Sequence, residues 1–288
     1  MKNGDGCNCH RLIWDDAKIS RFWNFIALSG AHQDDYFAKQ VGRGVVNFLR
    51  NVVTLEGRIL DYGCGPGYMA GCLIEAGIQC EGCDSSEVSV TMANEKFKEN
   101  PLWRGAQLVT GEPLPYEDNL FDLILCLETI EHVLDSHLEK MLTELYRILK
   151  PETGVLFITT PNNEDLESFT VFCPDCGAVL HRYQHVRSFT ASSLDELMRG
   201  HGFRTESCNT TLFNSFQETS MLEPLVKHPL DWSLRYVTSL IKIMGRSVFD
   251  RMSELYFYLA KARFNRLLGH GCHLFLLGKK RACRSGGE

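Results

Sequence analysis

A chain of 288 residues, 44% apolar and 23% charged, is long enough to bury a sizeable core as one elaborated domain, or as one domain with an insertion. Its composition excludes a disordered, collagenous or coiled-coil protein. No apolar run approaches the ~20 residues of a membrane-spanning helix, and the opening MKNGDGCNCHRLIWDD has no apolar signal core. The 12 cysteines are therefore expected to be reduced thiols of a cytoplasmic protein, not a disulfide framework.

Residues 1–54 read as a helical cover. Two helical patterns fill 15–53, the second from about Asp35 to Val53, and Trp14, Phe22, Trp23, Phe25 and Ile26 give the first an apolar face. Strand-like and helical segments then alternate. Strands are expected near 58–63, 79–84, 106–110, 121–127 and 154–159, with helices near 67–77, 86–99 and 135–149. A helix near 191–201 and strands near 205–212 and 272–278 follow, the last after the breaker Gly269-His270-Gly271. This order predicts an α/β fold, a mostly parallel sheet with helices on both faces. The core is expected over 55–213 plus 270–282, with a helical insertion at 214–269. In that insertion Val237, Leu240, Ile241, Met244, Val248, Met252, Leu255 and Leu259 recur at helical spacing. Such a face suits a cap or a homodimer interface better than a membrane-surface helix.

The net charge of −6 conceals an asymmetry: residues 227–284 hold twelve basic against three acidic side chains, which places +9 there and −15 on the rest. The basic segment is either a solvated helix face or a surface for an anionic partner, whether a phosphorylated substrate, nucleic acid or the inner membrane face.

The segment RILDYGCGPGY, Arg58 to Tyr68, is a short apolar run ending in an acid, then a turn carrying Gly63, Gly65 and Gly67, then a helix. A strand, a glycine turn and a helix N-terminus form a site for a nucleotide-like cofactor. The glycines run Gly-x-Gly-x-Gly, with Tyr68 where the dinucleotide fingerprint needs its third glycine, and a second acid, Asp84, ends QCEGCD. The pattern resembles the class I S-adenosylmethionine-dependent methyltransferases. The resemblance implies a Rossmann-like seven-stranded sheet with the final strand antiparallel. It assigns Asp61 to the methionine amino group and Asp84 to the ribose, with further cofactor contacts from Gly63, Cys64, Gly65, Gly67, Tyr68, Ser85 and Leu127. Where many relatives carry an acid for the adenine, this chain has Thr110 in TGEPLPY, and Glu112 or backbone groups are the substitute.

The fourth strand, FDLILCLE, runs into TIEHV, which places Glu128, Glu131 and His132 at the carboxyl edge of the sheet, where ligands bind in such folds. Carboxylates with imidazoles suit magnesium or manganese, and zinc less well. The Glu-x-x-Glu-His motif resembles that of the ubiquinone-biosynthesis O-methyltransferases and of the small-RNA 2'-O-methyltransferases. The latter resemblance implies His185, in QHVRSFT, as a fourth ligand. Without a metal, His132 or His185 is the general base or a substrate contact, with Glu128 beside them. A second constellation, Cys173-x2-Cys176 with His181, has the spacing of a zinc knuckle whose fourth ligand would be water or come from Cys7-x-Cys9-His10. Its bland alternative is a loop of reduced thiols over the active site. This CP-x-CG loop, with SRFWNFIA and YFAKQVGRG, also resembles bacterial methyltransferases of polysaccharide and natural-product pathways.

These readings predict an S-adenosylmethionine-dependent O-methyltransferase acting on a hydroxyl of a small molecule, sugar or glycan, with a divalent cation assisting. The rivals are a small-RNA 2'-O-methyltransferase and a non-catalytic S-adenosylmethionine-binding protein.

Overall fold

The computed structural model describes residues 9–221 and 273–281. The amphipathic pattern at 237–259 and most of the basic segment lie outside these residues. Seven strands form one sheet: β2 (Ile59–Tyr62), β3 (Cys80–Asp84), β4 (Trp103–Leu108), β5 (Leu123–Leu127), β6 (Val155–Pro161), β9 (Phe203–Thr211) and β10 (His273–Lys280). Their order is β4-β3-β2-β5-β6-β10-β9, and β10 runs antiparallel to both of its neighbours while the β4 to β6 pairs are parallel. Among the described residues, no helix is long and apolar enough to cross a membrane.

The central strands are apolar on both faces, as a sheet covered by helices on each side requires. Leu60, Ile124, Cys126, Leu156, Ile158 and Leu276 point to one layer, packed on helices α5 (Asp135–Ile148) and α6 (Ala191–Gly200) through Leu142, Leu145, Leu194 and Met198. Their neighbours Ile59, Leu123, Leu125, Phe157 and Phe275 point the other way, onto α2 (Phe37–Leu49) and α3 (Tyr68–Glu75) through Val45, Phe48, Leu49, Met69 and Leu73. The period of two along each strand thus feeds two cores. Phe213, the last residue of the expected core, and Phe216, at the head of the expected insertion, belong to the second core and meet Phe48 edge-on. That segment starts as part of the packed domain.

Helix α1 (Asp16–Leu28) is capped by Asp15, whose side chain accepts from the Lys18 N–H, and α4 (Glu87–Phe97) is capped by Ser86 in the same way. Ser86 Oγ also bonds Asn24 Oδ1 at 2.7 Å, which fastens α1 beside β3.

Two features depart from the expected elements. Strand β4 starts at Trp103 rather than near 106, because its exposed edge position and Gly105, at φ 97°, blur the alternation. A second, three-stranded sheet was not expected: β1 (His10–Arg11) pairs parallel with β8 (Ala178–His181), which pairs antiparallel with β7 (Thr170–Phe172). Strands of two to four residues carry no readable period.

Candidate active site

The carboxyl ends of β2, β3 and β5 open into one cavity of about 710 Å³, roofed by α1 and the turn before α2. Asp61, Gly63, Cys64, Gly65, Tyr68, Asp84, Ser85, Glu112 and Leu127 line it on the cofactor side, and Glu128, His132 and His185 on the other. Gly67 does not line it. A Cβ there would lie 2.9 Å from Phe97 and 3.2 Å from Ala93, so this glycine permits α3 to pack on α4. Gly63 is needed at the turn itself: it has φ 77°, and a Cβ would strike Thr129 Oγ1 at 2.5 Å.

The cofactor wall is half-satisfied. Asp84 accepts from the backbone N–H of Gly65 and of Ser86, each at 2.8 Å, which fixes its carboxylate in the mouth of the turn. Asp61 is 2% exposed, and its Oδ2 has no hydrogen-bond partner. Burial first, then the Asp84 charge, pushes Asp61 up to about 7. A buried acid with an unused oxygen beside a second acid fits a cationic group such as an ammonium. The Tyr36 hydroxyl is likewise unpartnered in this wall, and its ring stands 5.1 Å from that of Tyr68.

The opposite wall starts where β5 ends. Glu128 has φ 45°, rare for a non-glycine residue, and its N–H is tied to Thr159 O at 3.0 Å. The following turn carries Glu131 and His132, with side chains 1% and 13% exposed. The loop after β8 folds onto this turn: Val186 N–H donates to Glu131 O, and Gln184 Nε2 donates to His132 O at 2.9 Å. His185 thereby reaches His132, ring to ring at 4.7 Å, and donor atoms of Glu131, His132 and His185 lie within 4.8 Å of one another. Glu128 stands beside that trio, its Oε1 3.6 Å from His273 Nδ1. Both oxygens of Glu131, Glu128 Oε1, His132 Nδ1 and His273 Nδ1 are buried without a hydrogen-bond partner. Burial and the Glu128 charge raise Glu131 well above the carboxylate range. Burial and the neighbouring His185 hold His132 far below the usual imidazole value, and burial lowers His185 to about 4. The imidazoles are thus neutral, the form that binds metals and accepts protons.

His181 is not where the knuckle reading put it. Strand β8 carries it to the far end of its hairpin from Cys173 and Cys176, opposite Thr170. There it stacks on His185 at 4.5 Å and faces Glu164, with Nε2 to Oε1 at 3.6 Å. Glu164, in the loop after β6, also bonds His185 Nδ1 at 2.5 Å, which leaves His185 Nε2 for a ligand or substrate.

Sequence reasoning missed Glu164, His273, Tyr36 and Gln184. One signal could have found His273: it opens an antiparallel last strand, so it lands opposite Pro161 at the carboxyl edge of β6. The roof is joined to the opposite wall through Gln184, whose Oε1 accepts from Trp23 Nε1 at 2.9 Å.

A methyltransferase-domain family model matches residues 32–207. The chain belongs to the S-adenosylmethionine-dependent methyltransferases. It is 27% identical over 180 residues to a Mycolicibacterium smegmatis protein described as a probable S-adenosylmethionine-dependent methyltransferase, covering 62% of this chain and 63% of that one. It is 32% identical over 105 residues to a ubiquinone biosynthesis O-methyltransferase of Bartonella tribocorum, covering 36% of this chain and 41% of the relative. The matches thus span between two fifths and two thirds of these relatives' lengths. In fold, this methyltransferase is similar to a Haloferax volcanii chain solved in a complex with the methyltransferase activator Trm112. The TM-score is 0.56 at 17% identity, over 91% of this chain and 98% of that one.

Proposed function

We propose that this methyltransferase acts on a hydroxyl of a small molecule, sugar or glycan that carries a neighbouring oxygen, with Mg2+ or Mn2+ held by Glu128, Glu131, His132 and His185. The observation that carries the reading is the set of buried, unpartnered atoms of Glu128, His132 and His273 on the wall facing the cofactor turn, with Glu131, which does not itself line the cavity, unpartnered within 4.8 Å of the His132 and His185 donor atoms. Burying such groups unsatisfied costs several kcal/mol each by order of magnitude, and a hard divalent cation with mixed oxygen and nitrogen ligands would satisfy them together. The same test favours the cofactor: the free oxygen of Asp61 fits its ammonium, and the backbone-held Asp84 fits its ribose hydroxyls.

S-adenosylmethionine supplies an electrophilic sulfonium methyl, and a divalent cation lowers the pKa of an oxygen it holds. The rest falls to the chain. Asp61, Asp84 and the Gly63–Gly65 turn hold one reactant, while Glu128 to His132 and the 182–186 loop position the other. His185, fixed through Nδ1 by Glu164, has only Nε2 to offer, and in the metal-assisted reading that lone pair is the fourth ligand; only in a metal-free site would it take the hydroxyl proton. Trp23 and Tyr36 close the cavity against water. The Glu164–His185 bond also favours a second reading, metal-free methyl transfer with His185 as the base.

The test is S-adenosylhomocysteine release with catechol and vicinal-diol sugars, and with extract fractions that separate small molecules, glycans and RNA. Excess EDTA abolishes turnover, Mg2+ or Mn2+ restores it, and cofactor affinity is unchanged. Full turnover in EDTA would sink the metal-assisted reading and favour His185 acting alone. Label confined to RNA would overturn the small-molecule acceptor.

A further inference from the structure

The small sheet lies outside both cores, and almost nothing apolar holds it together. Both residues of β1 are exposed, Val171 and Phe172 of β7 are 44% and 48% exposed, and of the three strands only Ala178 and His181 are buried. Sheets this short need a hydrophobic face or a covalent or metal staple.

Its free end carries thiols. The turn joining β7 to β8 is Cys173-Pro174-Asp175-Cys176-Gly177, closed by Cys173 N–H to Ala178 O at 2.8 Å and Gly177 N–H to Cys173 O at 2.9 Å. A Cys-x2-Cys pair on one tight turn has the spacing by which a zinc knuckle presents two ligands to one metal. The parallel pairing of β1 brings a third. His10 pairs with Ala178, and its N–H donates to Gly177 O at 3.0 Å, so Cys9, one residue earlier, enters beside Cys176 and Gly177. Cys9, Cys173 and Cys176 are all free, and Cys9 and Cys176 are exposed. The three sulfurs do not share a single coordination sphere as they stand. An exposed side chain reaches its neighbours by rotation about χ1.

We propose that Cys9, Cys173 and Cys176 ligate a structural Zn2+ that clamps the amino-terminal strand to the β7–β8 hairpin, with water completing the tetrahedron. Thiolates select zinc over magnesium, so this site is chemically distinct from the Glu/His wall, and the proposal does not depend on the acceptor. Its consequence for catalysis is positional: β8 leads directly into His181, Gln184 and His185, so a staple at Cys173 and Cys176 steadies the loop that completes the catalytic wall.

The experiment is elemental analysis of the full chain purified from zinc-supplemented cells, together with the absorption spectrum after Co2+ replacement. About one zinc per chain is expected, with thiolate-to-cobalt charge transfer in the near ultraviolet and intense tetrahedral ligand-field bands. C173S and C176S lose the zinc and those bands, and E131Q keeps both. C9S losing the metal supports the clamp, whereas C9S retaining zinc at full stoichiometry overturns it. A zinc-free wild type whose cobalt form shows no thiolate charge transfer overturns the proposal without recourse to variants. Zinc retained at full stoichiometry in the C173S/C176S double variant also overturns it. A Cys173–Cys176 disulfide in freshly isolated protein overturns it in favour of a redox pair.

Discussion

Asp61→Asn separates what this acid costs the fold from what it gives the cofactor. In the folded chain Asp61 titrates at about 7, against an ordinary value of 3.8, because it is buried and faces Asp84. A carboxyl raised in the fold holds its proton more tightly there than in the unfolded chain. Its contribution to stability is therefore complete below about pH 4 and is lost as the pH rises towards 7. The gap corresponds to about 4 kcal/mol, an upper value because Asp84, itself raised by burial, shares the repulsion. Asparagine keeps the shape and removes the titration. Urea unfolding without cofactor should show the variant gaining stability relative to wild type as the pH rises from about 4 to 7, by up to about that amount. Subtracting wild type cancels the histidines, whose depressed values act with the opposite sign. Cofactor binding should move the other way. S-adenosylhomocysteine affinity by calorimetry should fall by about 10- to 100-fold in the variant, the worth of one charged hydrogen bond, and its rise with pH in the wild type should disappear. Unfolding curves that stay parallel over this pH range, or an unchanged affinity, would refute the assignment of Asp61 to a buried, ligand-facing carboxyl.

Two further substitutions test packing and positioning. Glu164→Gln keeps the volume but withdraws the charge that fixes His185 Nδ1; turnover should fall about 10- to 100-fold with cofactor affinity unchanged, and an equal loss of both would mean that the cavity had collapsed instead. Gly44→Ala improves helix propensity by up to about 1 kcal/mol, yet its Cβ would sit 2.2 Å from the Phe213 carbonyl. Overpacking against backbone, at about 1–3 kcal/mol, should win, and a urea midpoint at or above that of wild type would show that residues 213–217 move aside freely.

The sheet was legible wherever burial on both faces leaves an apolar run, as in LILCL of β5 and VLFIT of β6. Asp61, Asp84 and Glu128 were legible because each sits at or just after the carboxyl end of such a run, a position the fold class alone turns into a site. Glu164 was not, because its role depends on a loop that folds back 21 residues along the chain to His185. His181 was misread because Cys-x2-Cys followed by a histidine matches zinc spacing. In extended chain, the three residues from Ala178 to His181 carry the imidazole about 10 Å away from the turn. The small sheet escaped altogether, since it is held by register and not by apolar periodicity.

The two walls of the cavity are unsatisfied in different ways, and the difference follows from what each must bind. On the cofactor wall backbone donors already occupy Asp84, and only single atoms, Asp61 Oδ2 and the Tyr36 hydroxyl, are left over. That suits a ligand whose shape is constant and whose polar groups are few and fixed. On the acceptor wall whole side chains are left over, and the backbone beneath them is strained: Glu128 and Gln184 have φ of 45° and 64°. Left-handed conformations at such residues cost on the order of 1–3 kcal/mol each, and buried unpaired carboxylates cost more. Packing cannot remove these costs without displacing Glu128 or breaking the Trp23–Gln184–His132 chain that joins the roof to this wall. Under the proposed function, a wall that keeps strain and unpaired polar groups together in the dry interior, 1% exposed at Glu131, suits a partner that arrives with charge and several coordination positions. A neutral acceptor docking on shape alone would leave those atoms as unsatisfied as it found them.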